Sequence, residues 1–278
     1  MADAKLLLTS LTLFLMLVVL ALEFSDYARP PKTGNILYSA PTGFDPSEEN
    51  MSCSDGIDSL EEWRLPLTPD WLQDLAQDDP ELVRHVCAEW LLPPSTGERR
   101  LLQPEREHYS QRGQSEFVDE LLNHKTNGFF VEGGAFNGEE LSNSLFFEKS
   151  RNWTGLLVEP NPSSFLSLLE KRRRAYMVNA CLSPNTKPAI LPFHLVRNYR
   201  GIIRLHGTDP QEGAELEILF TLPLNQITVD VFSIEYVVTN NQQASDRKLE
   251  IIKKYLVDSH GYRIVQIGEG EDVILKKF

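Results

Sequence analysis

Cysteine is scarce in this chain, with three among 278 residues. Cys53, Cys87 and Cys181 are too few for a disulfide framework, and their spacing fits no zinc-ligand pattern. Cys53 and Cys87 could pair if they lie in an oxidising compartment, whereas Cys181 ends a predicted strand and is typical of a small buried apolar residue. We therefore expect no metal site.

Positive charge is also in short supply, because 27 Lys and Arg face 40 Asp and Glu and leave a formal net charge of −13. This balance argues against a nucleic-acid partner, since binding phosphates requires clustered cations. Lys171 to Arg174 form the one basic run. We expect this run to end a helix and complement its dipole, and contact with an acidic partner or with lipid headgroups is the alternative.

Long hydrophobic runs are missing except near the start, where residues 6–22 are mostly Leu, Val, Phe and Met. This length approaches the roughly 20 residues that span a bilayer. No clean small-residue cleavage site follows, so an uncleaved anchor over residues 1–24 is favoured over a signal peptide. Residues 25–69 are rich in Pro, Gly, Ser, Asp and Glu and predict a flexible stalk.

The most informative motif begins at Gly128, where an apolar strand leads through a glycine-rich turn into a predicted helix. A strand, turn and helix in this order form the usual binding site for a nucleotide-like cofactor in an open α/β sheet. A second apolar strand ends in Glu159, placed to accept hydrogen bonds from ribose hydroxyls. The alternative is that Glu132 and Glu159 are only solvated turn residues.

The remaining patterns predict the elements around this motif. Two short helices precede it, with Asp79 as a cap and Pro80 at a first helical position, and a further helix includes Ser115. We expect residues 142–144 to lie in a helix, Ser163 to cap the next one, and residues 176–181 to form a third strand. Residues 227–238 predict a strand buried on both faces, followed by a helix from Ser245, a C-cap at Gly261 and a terminal hairpin.

Five strings in this order resemble the FkbM-type S-adenosylmethionine-dependent methyltransferase domain, and specifically its Star-like membrane-anchored branch: FFVEGGAFNGEELSNSLFFE, TGLLVEPNP, NACLS, EGAELEIL and VFSIEYVV. The resemblance covers residues 70–278 and implies a helical extension over 70–127 and a methyltransferase domain over 128–278. It implies an α/β, Rossmann-like class I methyltransferase fold with a C-terminal antiparallel hairpin, and S-adenosylmethionine as cofactor. The cofactor-binding positions that it implies are Glu132, Gly133, Gly134, Ala135, Gly138, Glu159, Pro160, Asn161, Asn179, Ala180 and Glu212.

The chain departs from this family in the middle of the domain. Relatives carry an apolar strand ending in an acid before EGAEL, whereas this chain has a polar segment that ends in Asp209 and Pro210. Proline disfavours a central strand, so we do not assign the family's aspartate to Asp209. The central fourth strand and its preceding helix are therefore predicted to be absent over residues 204–212, as in a splice or gene-model variant.

The resemblance also implies location and role. Star-like proteins are type II membrane proteins with the large domain in the secretory lumen, and the sequons at Asn50 and Asn152 are compatible with this. The resemblance then implies that the protein acts in the transport of membrane-protein cargo from the endoplasmic reticulum to the Golgi and endosomes, with catalysis unproven. The alternative is an active O-methyltransferase on a glycan, lipid or small molecule, for which His206, Glu212 and Glu235 do not provide a secure catalytic base.

Overall fold

The computed structural model describes residues 70–76, 79–182, 187–188, 193–196, 200–203, 214–267 and 271–278. The predicted anchor and stalk, Cys53, and the segment with His206, Asp209 and Glu212 lie outside the described residues. Among the described residues, no helix combines the length and apolar character needed to cross a membrane.

The predicted N-terminal helices are confirmed and pack against the main domain. A 3-10 helix spans Asp70–Asp74, and α1 spans Pro80–His85 and continues as a π-helical turn over Val86–Trp90. The Asp79 carboxylate accepts from the backbone N–H of Glu81, and Pro80 occupies the first turn because its missing N–H costs nothing there. Leu72, Leu82 and Val86 are buried against strand residues that include Leu156 and Val158.

A parallel sheet forms the first half of the domain, in the order β1 (Phe129–Gly133), β2 (Thr154–Val158) and β3 (Tyr176–Val178). Helices α3 (Leu145–Ser150) and α4 (Pro162–Glu170) connect these strands, and α2 (Gln114–Leu121) precedes them. Residues 155–158 are all buried, as expected for a strand covered on both faces. The sheet and its helices are a mixed α/β arrangement consistent with a methyltransferase fold.

Three local predictions for this half are wrong. Residues 142–144 precede α3, because the Ser142 hydroxyl accepts from the N–H of Leu145 while the Ser144 hydroxyl bonds to Glu132. Asn161 caps α4 in place of Ser163. Strand β3 ends at Val178, so residues 179–181 follow the strand.

The C-terminal half is an antiparallel sheet in the order β6 (Val231–Glu235), β8 (Asp272–Lys277) and β7 (Tyr262–Ile267). Strands β7 and β8 confirm the terminal hairpin, and Gly261 adopts the left-handed conformation expected of a C-cap, with φ of 70°. Helices α5 (Glu215–Thr221) and α6 (Gln242–Ile252) accompany this sheet, followed by a π-helical turn over Lys253–Asp258.

Two predictions for this half need correction. The predicted strand at 227–238 is shorter and is not buried on both faces, because Ser233 and Glu235 are exposed as in a half-buried antiparallel strand. The following helix begins at Gln242 and not at Ser245, because the Asn241 side chain caps it by accepting from the N–H of Ala244.

No strand of the described residues joins the two sheets. Strand β1 pairs with β2, and β6 pairs with β8, while β4 (Phe193–Val196) and β5 (Arg200–Ile203) form a separate antiparallel pair. The buried cores are separate as well, with one around Leu157 and Phe165 and another around Ile252 and Leu275. The described part of the chain thus places no strand between β1 and β6, where the sequence predicts that one is missing.

Candidate functional site

The predicted site residues of the first three strands meet at the carboxyl edge of the parallel sheet. The register places Gly133 beside Val158 and Val158 beside Val178. The residues that follow these three are therefore neighbours: the Glu159 N–H donates to the Val178 carbonyl at 3.1 Å, and the Asn179 side-chain nitrogen donates to the Glu159 carbonyl at 2.6 Å. Parallel strands bring their carboxyl ends to one edge, which is where open α/β sheets bind ligands.

Glu159 is a buried carboxylate at the centre of this edge, with 6% of its surface exposed. Its two oxygens accept from the backbone N–H groups of Phe136 and Asn161, each at 2.7 Å. Burial raises the pKa of Glu159, and these two bonds lower it in part. A carboxylate has about four acceptor positions, so capacity remains for a ligand that donates.

Asn179 contributes a second acceptor beside Glu159. The residue is 5% exposed, and its Oδ1 atom has no hydrogen-bond partner among the described residues. A buried polar atom left without a partner costs about 1–3 kcal/mol, so such an atom needs an explanation. The Oδ1 atom of Asn143, on the loop before α3, is buried without a partner in the same way.

The two left-handed glycines of the turn have different surroundings. Gly134 has φ of 72°, and a Cβ built there would meet no atom within 4 Å. Gly138 has φ of 74°, but a Cβ there would lie 2.3 Å from Cδ1 of Leu168. Gly134 therefore has open space where a ligand can approach the backbone, whereas Gly138 permits close packing on α4.

Most N–H groups of the turn are already used within the fold. Those of Gly134 and Ala135 both donate to the Val158 carbonyl, and that of Gly138 donates to the Ala135 carbonyl. The N–H groups of Glu139 and Glu140 donate to Oδ1 of Asn137. The sequence predicts a helix directly after the turn with free N–H donors, and this is wrong, because α3 begins only at Leu145.

Phe136 is the strained residue of the turn, with φ of 51°. A left-handed backbone costs about 1–2 kcal/mol for a residue with a side chain, and such strain clusters at functional sites. In this conformation the N–H of Phe136 donates to Oε2 of Glu159. The turn and the buried acid are therefore held together by a bond between residues far apart in the chain.

Glu132 holds the loop that follows the turn. Its carboxylate accepts from the hydroxyls of Ser142 and Ser144, at 2.9 and 2.6 Å, and from the N–H of Asn143 at 2.7 Å. Three donors occupy most of the acceptor positions of this carboxylate. In the structure Glu132 therefore acts to position the loop.

Arg173, which sequence reasoning did not assign to the site, is fully buried beneath the turn. Its guanidinium donates to the Gly138 carbonyl, to the Ser144 hydroxyl at 3.0 Å and to the Glu148 carboxylate at 2.7 Å. Burial raises the pKa of Glu148, but the Arg173 charge and further donors outweigh it and leave this pKa below its ordinary value. Glu148, which directly follows the apolar run at 145–147, is the sequence signal that could have indicated a buried pair.

The basic run that contains Arg173 follows the end of α4, as predicted, with Lys171 at the C-cap, but its buried members have partners other than the helix dipole. Lys171 is also buried and pairs with Glu139 at 2.7 Å, and Glu139 accepts in addition from the N–H groups of Leu102 and Gln103. Only Arg174 of the four is exposed. Buried carboxylates, and not the helix dipole or an outside partner, account for Lys171 and Arg173.

The other predicted positions occupy different places. Pro160 and Ala180 are half-buried next to Glu159 and Asn179, while Gly133 is exposed with Leu182 close to its α carbon. Glu235 lies at the end of β6 in the second sheet, and part of its surface reaches solvent. Partial loss of hydration, followed by the charges of Glu215 and Glu271, raises its pKa to about 7.

The cysteines of the described part of the chain are poor nucleophiles. Cys87 and Cys181 are half-buried, and burial raises the pKa of each thiol to about 11. Within the same residues, no group of three or more His, Cys, Asp or Glu could hold a metal ion.

A parallel sheet with a glycine turn, a buried acid and a buried amide at its carboxyl edge is typical of α/β domains that bind nucleotide-like cofactors. Within that class, the family described as the methyltransferase FkbM domain matches residues 132–253. The match begins at the end of β1 and includes the whole glycine turn, Glu159 and Asn179. No curated protein matches the chain. Residues 132–253 are thus similar to the FkbM methyltransferase domain.

Proposed function

We propose that the chain binds S-adenosylmethionine at the carboxyl edge of β1, β2 and β3. The observation that carries this proposal is that the edge offers acceptors while most N–H donors of its glycine turn are used internally. A pyrophosphate needs free N–H donors, so a dinucleotide is a poor ligand for this turn. S-adenosylmethionine instead carries donors and positive charge in its ribose hydroxyls, adenine amine, ammonium and sulfonium.

The described residues fit this cofactor. The carboxylate of Glu159 can accept from ribose hydroxyls, and the unpartnered Oδ1 of Asn179 can accept from an adenine amine. The open space at Gly134 lets the ligand approach the backbone. Glu132 and Arg173 hold the turn and the loop behind it, so the site is positioned before the ligand arrives.

The chemistry that this cofactor supplies is a methyl group on sulfur, open to in-line displacement by an oxygen nucleophile of a glycan, lipid or small molecule. Orientation alone can contribute several kcal/mol to such a step. Glu159 and Asn179 would bind and orient, and a general base would accept one proton. The pKa of Glu235 is raised to about 7, which is suitable for a general base. Glu235 lies in the second sheet, however, so no described residue is assigned as base.

Calorimetry on the full chain in detergent tests the proposal. We expect S-adenosylmethionine to bind and Glu159→Gln to weaken binding at least about tenfold, since a hydrogen bond to a charged group contributes about 1.5–3 kcal/mol. Glu170→Gln, at an exposed acid on α4, is the matched control and should bind like the wild type. Binding of a dinucleotide in place of S-adenosylmethionine, or equal loss in both variants, would contradict it.

As a second function, we propose a Star-like, type II membrane protein that transports membrane cargo through the secretory pathway. The apolar run at 6–22 supports anchoring in a membrane, because its length approaches that needed to span a bilayer. In this role the domain is lumenal and the cargo is a membrane protein.

Depletion of the protein in cells and rescue with the full chain would test this role. Cargo arrival in the Golgi and endosomes should fall on depletion and recover with the wild type. Recovery with Glu159→Gln as well would show that transport does not require the cofactor site. Unchanged cargo arrival after depletion would remove the trafficking proposal and leave the binding proposal intact.

A further inference from the structure

Asn152 lies on an exposed turn immediately before β2, in the sequence Asn152-Trp153-Thr154. Its φ of 54° is a left-handed conformation that asparagine tolerates better than most residues. Asparagine followed two positions later by threonine, with no intervening proline, is the acceptor pattern for N-glycosylation. We propose that Asn152 carries an N-linked glycan, an inference that rests on the proposed lumenal location.

The local hydrogen bonds can persist when a sugar is attached. The Nδ2 atom of Asn152 donates to Oδ1 of Asn127 at 2.6 Å. A side-chain amide has two hydrogens, so replacing one by a sugar leaves the other for Asn127. The Thr154 hydroxyl donates to the Arg174 carbonyl and is likewise undisturbed. The folded chain therefore accepts the modification without losing a bond.

A cavity of about 370 Å³ adjoins this side chain and gives the first sugar a place to lie. Asn152, Trp153, Arg99 and Arg174 line it together with the backbone at Gly128. Guanidinium groups can donate to sugar hydroxyls, and an indole ring offers an apolar surface to the sugar's C–H groups. Its polar and aromatic lining matches a sugar better than an apolar ligand.

A similar string elsewhere in the fold shows why exposure matters. Asn161-Pro162-Ser163 has the hydroxyl residue at the right spacing, but proline separates it from the asparagine. Asn161 is also only 7% exposed, and its side chain caps α4. Asn152 is free of both restrictions, and the sequon at Asn50 lies outside the described residues.

The glycan would not obstruct the cofactor edge. Asn152 precedes the first residue of β2, whereas Glu159 follows the last, and a strand rises about 3.3 Å per residue. The two residues are thus separated by the length of the strand, on the order of 20 Å. Glycosylation and cofactor binding are therefore compatible in one molecule.

Expression of the full chain in cells with an active secretory pathway tests the assignment. We expect a glycosidase-sensitive form, and a peptide containing Asn152 that carries the mass of a glycan. Asn152→Gln and Thr154→Ala should each remove one glycan, because the first substitution removes the acceptor asparagine and the second removes the hydroxyl residue that the pattern requires. Thr154→Ser keeps the hydroxyl and should retain the glycan, which separates loss of the acceptor from general misfolding.

Protease protection of the domain in intact vesicles distinguishes a wrong acceptor assignment from a wrong lumenal location. A protected domain with unmodified Asn152 would overturn this assignment while the lumenal location stands. A protease-accessible domain would overturn the location and, with it, the glycan. An unchanged number of glycans in Asn152→Gln would also overturn Asn152 as the acceptor.

Discussion

At the residue scale, two glycines with nearly equal φ angles have different tasks. Gly134 and Gly138 differ by 2° in φ, at 72° and 74°, but only Gly138 lies against a buried side chain, that of Leu168. Backbone angle alone therefore cannot say which glycine serves packing and which leaves room for a ligand. Alanine substitutions separate these two tasks.

Gly138→Ala should lower the free energy of unfolding by about 3 kcal/mol, because left-handed strain adds to a clash in a packed core. Gly134→Ala should cost about 1 kcal/mol, from strain alone, yet weaken S-adenosylmethionine binding because its methyl group enters the open space. Urea unfolding and calorimetry measure the two effects. Equal losses of stability in the two variants would show that the Leu168 contact does not matter.

Arg173→Met should destabilise the protein by about 3–5 kcal/mol, because it leaves Glu148 with one cation fewer in a buried site. Arg174→Met, at the exposed neighbour, is the control and should change stability by less than about 0.5 kcal/mol. The double variant with Glu148→Gln should recover part of the loss, as measured by urea unfolding. A loss of the same size for Arg174 would argue against a buried pair as the cause.

At the element scale, the start of α4 shows how a helix and the site are built from one residue. The side chain of Asn161 caps α4 by accepting from the N–H of Ser163, while the N–H of Asn161 donates to Glu159. The helix is thereby tied to the carboxylate at the end of β2. Serine is as good a cap as asparagine by propensity, so sequence alone did not discriminate between Asn161 and Ser163.

Asn161→Ala should cost about 1 kcal/mol in the free energy of unfolding, the usual loss for an N-cap. Ser163→Ala should cost less than about 0.5 kcal/mol, since no hydrogen bond of its hydroxyl holds the helix start in the structure. Thermal and urea unfolding of both variants would compare them. A larger loss at Ser163 would return the cap to the position predicted from the sequence.

At the scale of the whole molecule, α2 connects the two half-sheets. Gln114 donates to the Asp272 carboxylate at 3.2 Å, and Lys276 donates to the Leu121 carbonyl at 2.9 Å. Lys125, just after α2, pairs with Asp230 at 2.8 Å. These polar contacts join halves that have separate apolar cores, and they involve exposed or half-buried groups that contribute little each.

Glu235, with Glu215 and Glu271 nearby, predicts that the stability of the protein depends on pH. The folded-state pKa of Glu235 is raised to about 7, so the folded protein holds a proton that the unfolded chain has already lost. The contribution of Glu235 to the free energy of unfolding is therefore fully present below the ordinary glutamate pKa of about 4.3. This contribution is lost as the pH rises through about 7.

Glu235→Gln should remove this loss, because an amide cannot ionise. Its melting temperature should exceed that of the wild type at pH 8, and the difference should shrink at pH 5. Glu116→Gln, on the exposed face of α2, controls for the loss of one negative charge. A difference that does not change with pH would mean that ionisation of Glu235 is not responsible.

Although β4 and β5 were not predicted, the three parallel strands, the glycine turn, the C-terminal hairpin and the position of Glu159 could be predicted from the sequence. Each depends on a local pattern, such as an apolar run, a glycine spacing or a turn between two strands. The edge residues Glu159 and Asn179 follow their strands directly, so the parallel order brings them together without further information. The starts of α4 and α6 were wrong, because neighbouring residues of similar propensity compete to cap a helix, and the predicted burial of the strand at 227–238 was wrong as well.

The sequence by itself determined the order of apolar strand, glycine turn, second apolar strand and acid, which predicts a nucleotide-type edge. Only the tertiary structure decided which groups at that edge remain available. The Phe136 N–H reaches Glu159 across 23 residues, and Arg173 reaches Gly138 across 35. A hydrogen-bond donor can be used only once, and which acceptor it meets depends on residues far apart in the chain, so local patterns cannot reveal that the donors are already used and the acceptors are left for a ligand.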